Sequence, residues 1–219
     1  MKISAVIPTL DAAATLPATL AALGQVTDIV VTDGGSADAT AAIARAAGAR
    51  VVTAPRGRGR QLAEGIGAAR EAWLLLLHAD TVLSEGWREA AAMHMRLNMD
   101  KAGFFRFILD SADPRARRLE RLVAWRCRVL ALPYGDQGLL LHKDTLTRAG
   151  GMRPLPLMED VDLVTRLGRQ RLVPLDAGAV TSAAKWERDG WYRRSCRNLA
   201  CLSLWQLGFS AERIARIYR

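Results

Sequence analysis

Residues 3–40 read ISAVIPTLDAAATLPATLAALGQVTDIVVTDGGSADAT. The run from Ile3 to Ile7, ended by Pro8, predicts a short buried strand. Residues 12–23 have helical composition, and residues 29–32 predict a second strand closed by Asp33-Gly34-Gly35. Ser36 is placed to cap a helix running to Ala47, with Asp38 in its first turn. The alternation continues downstream. Residues 50–53 predict a third strand, residues 57–70 a glycine and arginine loop that becomes a helix, and residues 73–78 a fourth apolar strand ended by Ala79-Asp80. Apolar strands separated by helices predict an α/β fold with a mainly parallel central sheet and helices on both faces. In such a sheet a ligand lies beyond the carboxyl ends of the strands. Asp11, Asp33 and Asp80 each follow a strand, so all three are expected at one crevice.

The second half is less regular. Residues 102–109 predict a strand. Residues 115–132 predict a helix with Leu119, Leu122, Val123, Val129 and Leu130 on one side and Arg117, Arg121 and Arg128 on another. Residues 139–142 predict a short strand, residues 143–149 a helix ended by Gly150-Gly151, and residues 159–169 a helix whose acidic start and basic end suit its dipole. From Trp191 onward the chain reads as helical. No repeat, low-complexity tract or linker interrupts it. The simplest division is one main unit over residues 1–184 and a basic, amphipathic helical segment over residues 185–219.

Of the 219 residues, 50% are hydrophobic and 24% charged, which excludes a disordered, collagen-like or disulfide-knotted chain. The net charge of +9 points to an anionic partner such as a nucleotide, nucleic acid or lipid surface. Cys127, Cys196 and Cys201 are odd in number with no C-x-x-C pair, so free thiols in a reducing compartment are expected. No histidine stands near a cysteine at zinc-ligand spacing. The opening residues lack the apolar run of a signal peptide, and no apolar stretch approaches the ~20 residues that cross a bilayer. A cytoplasmic protein is the expectation, with contact to the inner face of a membrane left open.

Six segments carry residue types suited to chemistry. Asp33 before two glycines suits hydrogen bonds to a nucleobase or ribose, and equally a turn with a helix cap. Asp80, in His78-Ala79-Asp80, suits a hard divalent cation, or a polar strand end. Gly57-Arg58-Gly59-Arg60-Gln61 opens a helix and suits an anion, without P-loop or dinucleotide spacing. Glu159, Asp160 and Asp162 start a helix, where one acid suits a general base and all suit the helix dipole. Asp136-Gln137 lies between Gly135 and Gly138 in a polar segment suited to a substrate or a plain loop. Lys185 and Trp186 offer an ammonium to a phosphate and an indole face to a sugar, or a buried Trp beside a solvated Lys.

Four segments, in their order and strand context, resemble the family 2 inverting glycosyltransferases, over nearly the whole chain and nearest a branch of small, single-domain bacterial members. The carrying segments are AVIPTLD at residues 5–11, VTDGGSADAT at 31–40, LHADT at 77–81 and LMEDVD at 157–162. The resemblance implies a GT-A-type nucleotide-diphospho-sugar transferase fold. Its donor half would span residues 1–100 and its acceptor half residues 101–184. It implies that Pro8, Thr9, Leu10, Asp11, Asp33 and Gly34 hold a UDP- or GDP-type sugar donor. His78, Ala79 and Asp80 would stand at the family's D-x-D motif, with Asp80 as ligand for Mg²⁺ or Mn²⁺. Asp160 would be the base, with Glu159 orienting it or the acceptor. Asp136, Gln137, Lys185 and Trp186 are assigned to an acceptor that includes a lipid-linked one among its classes.

The chain departs from the family in three places. His78 replaces the usual first acid, Asp11-Ala12 replaces Asn-Glu, and Ala63 replaces an Asn. Gly59, Arg60 and Gln61 are therefore assigned to the donor. The implied reaction is one displacement at the anomeric carbon, with inversion.

The six arginines over residues 115–128 and the Trp-containing basic stretch over residues 185–219 suit an anionic lipid surface, packing on the domain, or a homodimer contact. Three other readings compete. A sugar-phosphate nucleotidyltransferase lacks support, because no long glycine-rich basic loop follows the first strand. A polyanion-binding module leaves the ordered acids at strand ends unexplained. A catalytically degenerate nucleotide-sugar or anionic-lipid binding protein would fit the His78 and Ala12 departures.

Overall fold

The computed structural model describes residues 1–218. The strands are β1 (Ile3–Thr9), β2 (Asp28–Asp33), β3 (Arg50–Thr53), β4 (Trp73–Leu76), β5 (Thr81–Leu83), β6 (Ala102–Leu109), β7 (Leu139–His142) and β8 (Leu172–Thr181). The helices are α1 (Leu16–Leu23), α2 (Thr40–Ala46), α3 (Arg58–Ala68), α4 (Trp87–Leu97), α5 (Pro114–Leu130), α6 (Lys143–Arg148), α7 (Glu159–Leu167), α8 (Ala184–Asp189), α9 (Trp191–Gln206) and α10 (Ala211–Tyr218).

One sheet runs in the order β3-β2-β1-β4-β7-β6-β8-β5. β3, β2, β1 and β4 are parallel, as the alternating pattern predicts. β7 runs against β4 and β6, and β5 runs against β8. All seven residues of β1 are buried, because α1 covers one face and α3 the other. Gly65 makes the close fit of α3 possible: a Cβ there would lie 2.4 Å from Val6 and 2.8 Å from Thr32.

Some expectations need correction. α2 begins at Thr40, and Ser36 does not cap it: the Ser36 hydroxyl and N–H both donate to Asp33. Asp38 instead accepts from the Thr40 N–H at 2.9 Å and the Ala13 N–H at 3.0 Å, pinning the loop after β1 to the loop after β2. The apolar side assigned to α5 is split, because Val123 is buried while Leu122, Val129 and Leu130 are exposed. The C-terminal helices turn Trp186 and Trp191 inward onto α5 and β6.

His94 of α4 is 2% exposed, with its ring edge-on to Trp73 at a centroid distance of 5.8 Å. Burial holds its pKa below the ordinary value of 6.5. The unfolded chain therefore takes up this proton more readily than the native one, and stability falls as pH drops through about 6.5. His94→Leu is expected to shrink the loss of melting temperature between about pH 7.5 and about pH 5.5. An unchanged loss in parallel thermal melts would remove His94 as its source.

Candidate active site

The ends of β1 and β2 are locked together from within. Asp33 accepts hydrogen bonds from the Thr9 hydroxyl at 3.2 Å, the Gly35 N–H at 3.2 Å and the Ser36 N–H at 3.0 Å. Burial raises its pKa, but the bonds from Ser36, Thr9 and Gly35 outweigh it and hold the carboxyl below its usual value. Gln61 is buried and donates both amide hydrogens, to the Thr9 carbonyl at 2.7 Å and the Thr32 carbonyl at 2.8 Å. Its side chain is the nearest neighbour of Gly34, at 3.1 Å from where a Cβ would stand. Asp33 and Gln61 thus shape the crevice floor. Asp11 is exposed at φ +49° and accepts the Ala37 N–H at 2.8 Å. Pro8 is buried within β1, Leu10 is half-buried, and Arg60 is exposed.

Gly59 sits in the first turn of α3 beneath the chain at residues 153–155. A Cβ there would lie 2.5 Å from the Leu155 carbonyl oxygen and 2.8 Å from that of Arg153. Its missing side chain seats one half of the protein on the other. Gly59→Ala is expected to force these backbones apart, destabilising the protein by about 2 kcal/mol. A melting temperature equal to that of the parent would show that residues 153–155 yield freely.

α7 starts at a bent entry, with Met158 at φ +66°. A non-glycine residue in this region carries strain and is worth a functional look. The bend presents Glu159 and Asp160 differently. Glu159 is fully buried, with Arg58 Nε 2.6 Å from its Oε1. Burial pushes its carboxyl up, Arg58 opposes that, and Asp160 adds to it. The Glu159 charge in turn raises the Arg58 pKa. Asp160 is half-buried, accepts the Val161 N–H at 2.7 Å, and lines a cavity of about 40 Å³ with His78, Tyr134 and Gly135. Asp162 is structural: it pairs with Arg153 at 2.9 Å and Arg166 at 2.7 Å.

The same network reaches the end of β4. Arg58 Nη1 lies 3.3 Å from His78 Nε2, and His78 Nδ1 lies 2.7 Å from Asp136 Oδ1. A guanidinium only donates, so Nε2 accepts and the Nδ1–H faces Asp136. Burial raises the Asp136 carboxyl, but His78, Arg58 and Lys185 drive it far below the usual carboxylate range. His78, Asp80 and Asp136 bring polar atoms within 4.8 Å of one another; with both His78 ring nitrogens engaged, the two carboxylates supply the hard oxygens that fit a divalent cation. Lys185 Nζ lies 2.8 Å from Asp80 Oδ2, so Lys185 stands on this side of the crevice. Ala79 is buried, its carbonyl taking the Thr19 hydroxyl at 3.0 Å.

Two acceptor assignments lie behind the surface. Gln137 is buried, donating to the Phe105 carbonyl at 3.0 Å and accepting from Arg126 at 3.2 Å. Trp186 is buried and stacked on Trp191 at 6.2 Å. Sequence reasoning passed over Arg58 as a bridging group and Tyr134 as a wall. Arg58 stood in the quoted glycine and arginine run, but nothing local set it apart from Arg60.

The family profile described as Glycosyl transferase family 2 matches residues 4–155. The chain belongs to that family. This family 2 glycosyltransferase is similar in fold to solved structures of low sequence identity. Glucosyl-3-phosphoglycerate synthase from Mycobacterium tuberculosis, in complex with Mn²⁺, UDP and glucosyl-3-phosphoglycerate, gives a TM-score of 0.56 at 20% identity over 82% of this chain and 70% of that one. The same enzyme with Mg²⁺ and UDP gives 0.57 at 19% identity over 82% and 69%. TarS residues 1–349 from S. aureus gives 0.67 at 14% identity over 100% and 69%. Comparison with curated proteins finds no match. The glycosyltransferase thus has the GT-A-type fold that its motifs implied.

Proposed function

We propose that this enzyme moves a sugar from a UDP- or GDP-type nucleotide-sugar donor to an acceptor hydroxyl, with inversion and with a divalent metal. The observation that carries the proposal is the cavity shared by Asp160 and His78. That cavity joins a carboxylate from the second half of the chain to His78, whose Nδ1 lies 2.7 Å from Asp136 of the metal-type group. In the proposed reaction the base and the leaving diphosphate take opposite faces of the sugar, which gives inversion. Asp160 takes the acceptor proton. Glu159, tied to Arg58, positions the network behind it. Asp80 and Asp136 are the oxygen ligands, with His78 orienting Asp136 through its Nδ1–H. Asp136 thereby restores, from a distant loop, the carboxylate that His78 displaces in the motif. Bound Mg²⁺ or Mn²⁺ supplies charge neutralisation for the diphosphate, and Lys185 adds a cation beside it. Similar structures holding UDP with Mn²⁺ or Mg²⁺ support this choice of donor and metal.

The reading places residues 1–184 as the catalytic unit and residues 185–219 as its helical cover. It locates the protein in the cytoplasm at the inner face of a membrane, with a lipid-linked acceptor. Among the described residues no helix is long and apolar enough to cross a membrane.

Calorimetric titration with UDP, GDP and CDP, each with and without Mn²⁺, tests the proposal. One nucleotide is expected to bind at least about tenfold tighter with metal, and Asp80→Ala to abolish that gain. Absence of binding to all three with metal present would sink the proposal.

A further inference from the structure

α5 has two unlike faces. Ala116 and Val123 pack inward against Phe107, Leu109, Trp186 and Trp191. Outward, Leu122, Trp125, Val129 and Leu130 are 63%, 49%, 43% and 47% exposed. Arg118, Arg121 and Arg128 are exposed along the same stripe, since positions three, four and seven apart share a helix face. The one acid of α5, Glu120, is turned inward: it pairs with Arg117 at 2.8 Å and accepts the Leu109 N–H at 2.8 Å. The outer face of the helix is therefore purely cationic and apolar.

We infer that the outer face of α5 docks on an anionic lipid bilayer, with Leu122, Trp125 and Val129 entering the interface and Arg118, Arg121 and Arg128 meeting the headgroups. Charge complementarity decides among occupants. In a symmetric contact a second copy of this chain would bring the same arginine row against this one, with no acid on the helix face to offset it. A nucleic acid would satisfy the arginines but leave the aliphatic side chains against phosphates. An anionic bilayer takes both.

The position of α5 gives the docking a use. From Leu130 the chain reaches Gly135 in five residues, a span of at most about 18 Å. Tyr134 and Gly135 line the cavity beside Asp160. Arg126 ties the helix to that wall, lying 3.7 Å from the Tyr134 ring centroid and donating to the Leu132 carbonyl at 2.9 Å. A bilayer under α5 thus brings headgroups to the acceptor side. The inference deepens the lipid-side part of the proposed function and rests on it for that use.

Co-sedimentation with phosphatidylcholine vesicles, with and without one third phosphatidylglycerol, tests the docking with no sugar donor present. The parent protein is expected to sediment with the anionic vesicles alone, and less so at high salt. Trp125→Glu/Val129→Glu and Arg118→Gln/Arg121→Gln/Arg128→Gln are each expected to lose at least about tenfold in affinity, with thermal melting unchanged. Asp80→Ala is expected to bind vesicles like the parent, so the nucleotide reading can fail while the docking stands. Three outcomes overturn the inference: no binding to anionic vesicles, equal binding to neutral ones, or variants that match the parent. Should ultracentrifugation show a dimer that the same variants dissolve, the face belongs to a second copy.

Discussion

Asp160→Asn is expected to lower turnover by about 10³-fold while leaving metal-dependent nucleotide binding unchanged. The side chain is half-buried at the edge of a cavity whose wall is formed by Tyr134 and Gly135. Its Oδ1 is held by the Val161 N–H at 2.7 Å, and its Oδ2 faces Gly135, 3.7 Å from where a Cβ would lie. An amide keeps the shape and the hydrogen bond to Val161, but it cannot take a proton from an attacking hydroxyl. The loss should therefore fall on kcat and spare the affinity for UDP or GDP. Glu159 provides the contrast. It is buried and paired with Arg58, so Glu159→Gln would disturb the Arg58–His78–Asp136 chain and reach nucleotide affinity as well. Normal turnover by Asp160→Asn, measured by release of nucleoside diphosphate, would show that another group is the base.

Asp162→Ala is expected to destabilise the protein by about 3 kcal/mol, which lowers the melting temperature by roughly 10 °C for a chain of this size. Only two positions from Asp160, this carboxylate has a different task. It is 5% exposed and joins Arg153 at 2.9 Å to Arg166 at 2.7 Å. Arg166 also donates to the Ala149 and Gly151 carbonyls, so the carboxylate anchors the segment between α6 and α7. Its removal leaves the largely buried Arg166 without its counter-charge. The expected signature is lost stability with nucleotide affinity retained below the melting transition. Calorimetric scanning that finds the variant as stable as the parent would mean that Arg166 is satisfied by its carbonyls alone.

The first four strands were legible as short apolar runs, the composition of buried parallel strands, although β1 continues through Pro8 to Thr9. The end of β4 was legible from the apolar run before it and the start of α7 from its acidic first turn, so the sequence positions of Asp80 and Asp160 at a strand end and a helix start could be read locally. β8 was not legible: Pro174, Asp176 and Gly178 interrupt it, and it is held by pairing with β6 on one side and β5 on the other. β5 is three residues long, too short for a pattern. α4 went unread although its buried face of Trp87, Ala91 and His94 has helical spacing. The meeting of His78 with Asp136 could not be read locally, since 58 positions separate them and β4–β7 pairing joins them. The burial of Gln61 and Gln137 was equally hidden, and that of Trp186 stood as only one of two readings. Polar and amphipathic residues beside a site look alike in sequence whether they face a substrate or brace the wall behind it.

The reversed direction of β7 has a consequence for how specificity can change. Leu139 pairs with Leu76, so the amino end of β7 lies at the carboxyl end of β4. The segment over residues 131–138 therefore arrives at the crevice before its strand begins, while the loops after β1 and β2 arrive once theirs have ended. Those two loops are laced to each other through Asp11, Asp38, Ser36 and Thr40, and a change in one is felt by the other. The 131–138 segment instead hangs between α5 and β7, braced by Gln137 and Arg126. On the proposed reading it is an exchangeable cassette: swapped between relatives with those two braces and Asp136 kept, it is expected to change the acceptor preference while the donor side keeps its metal ligands.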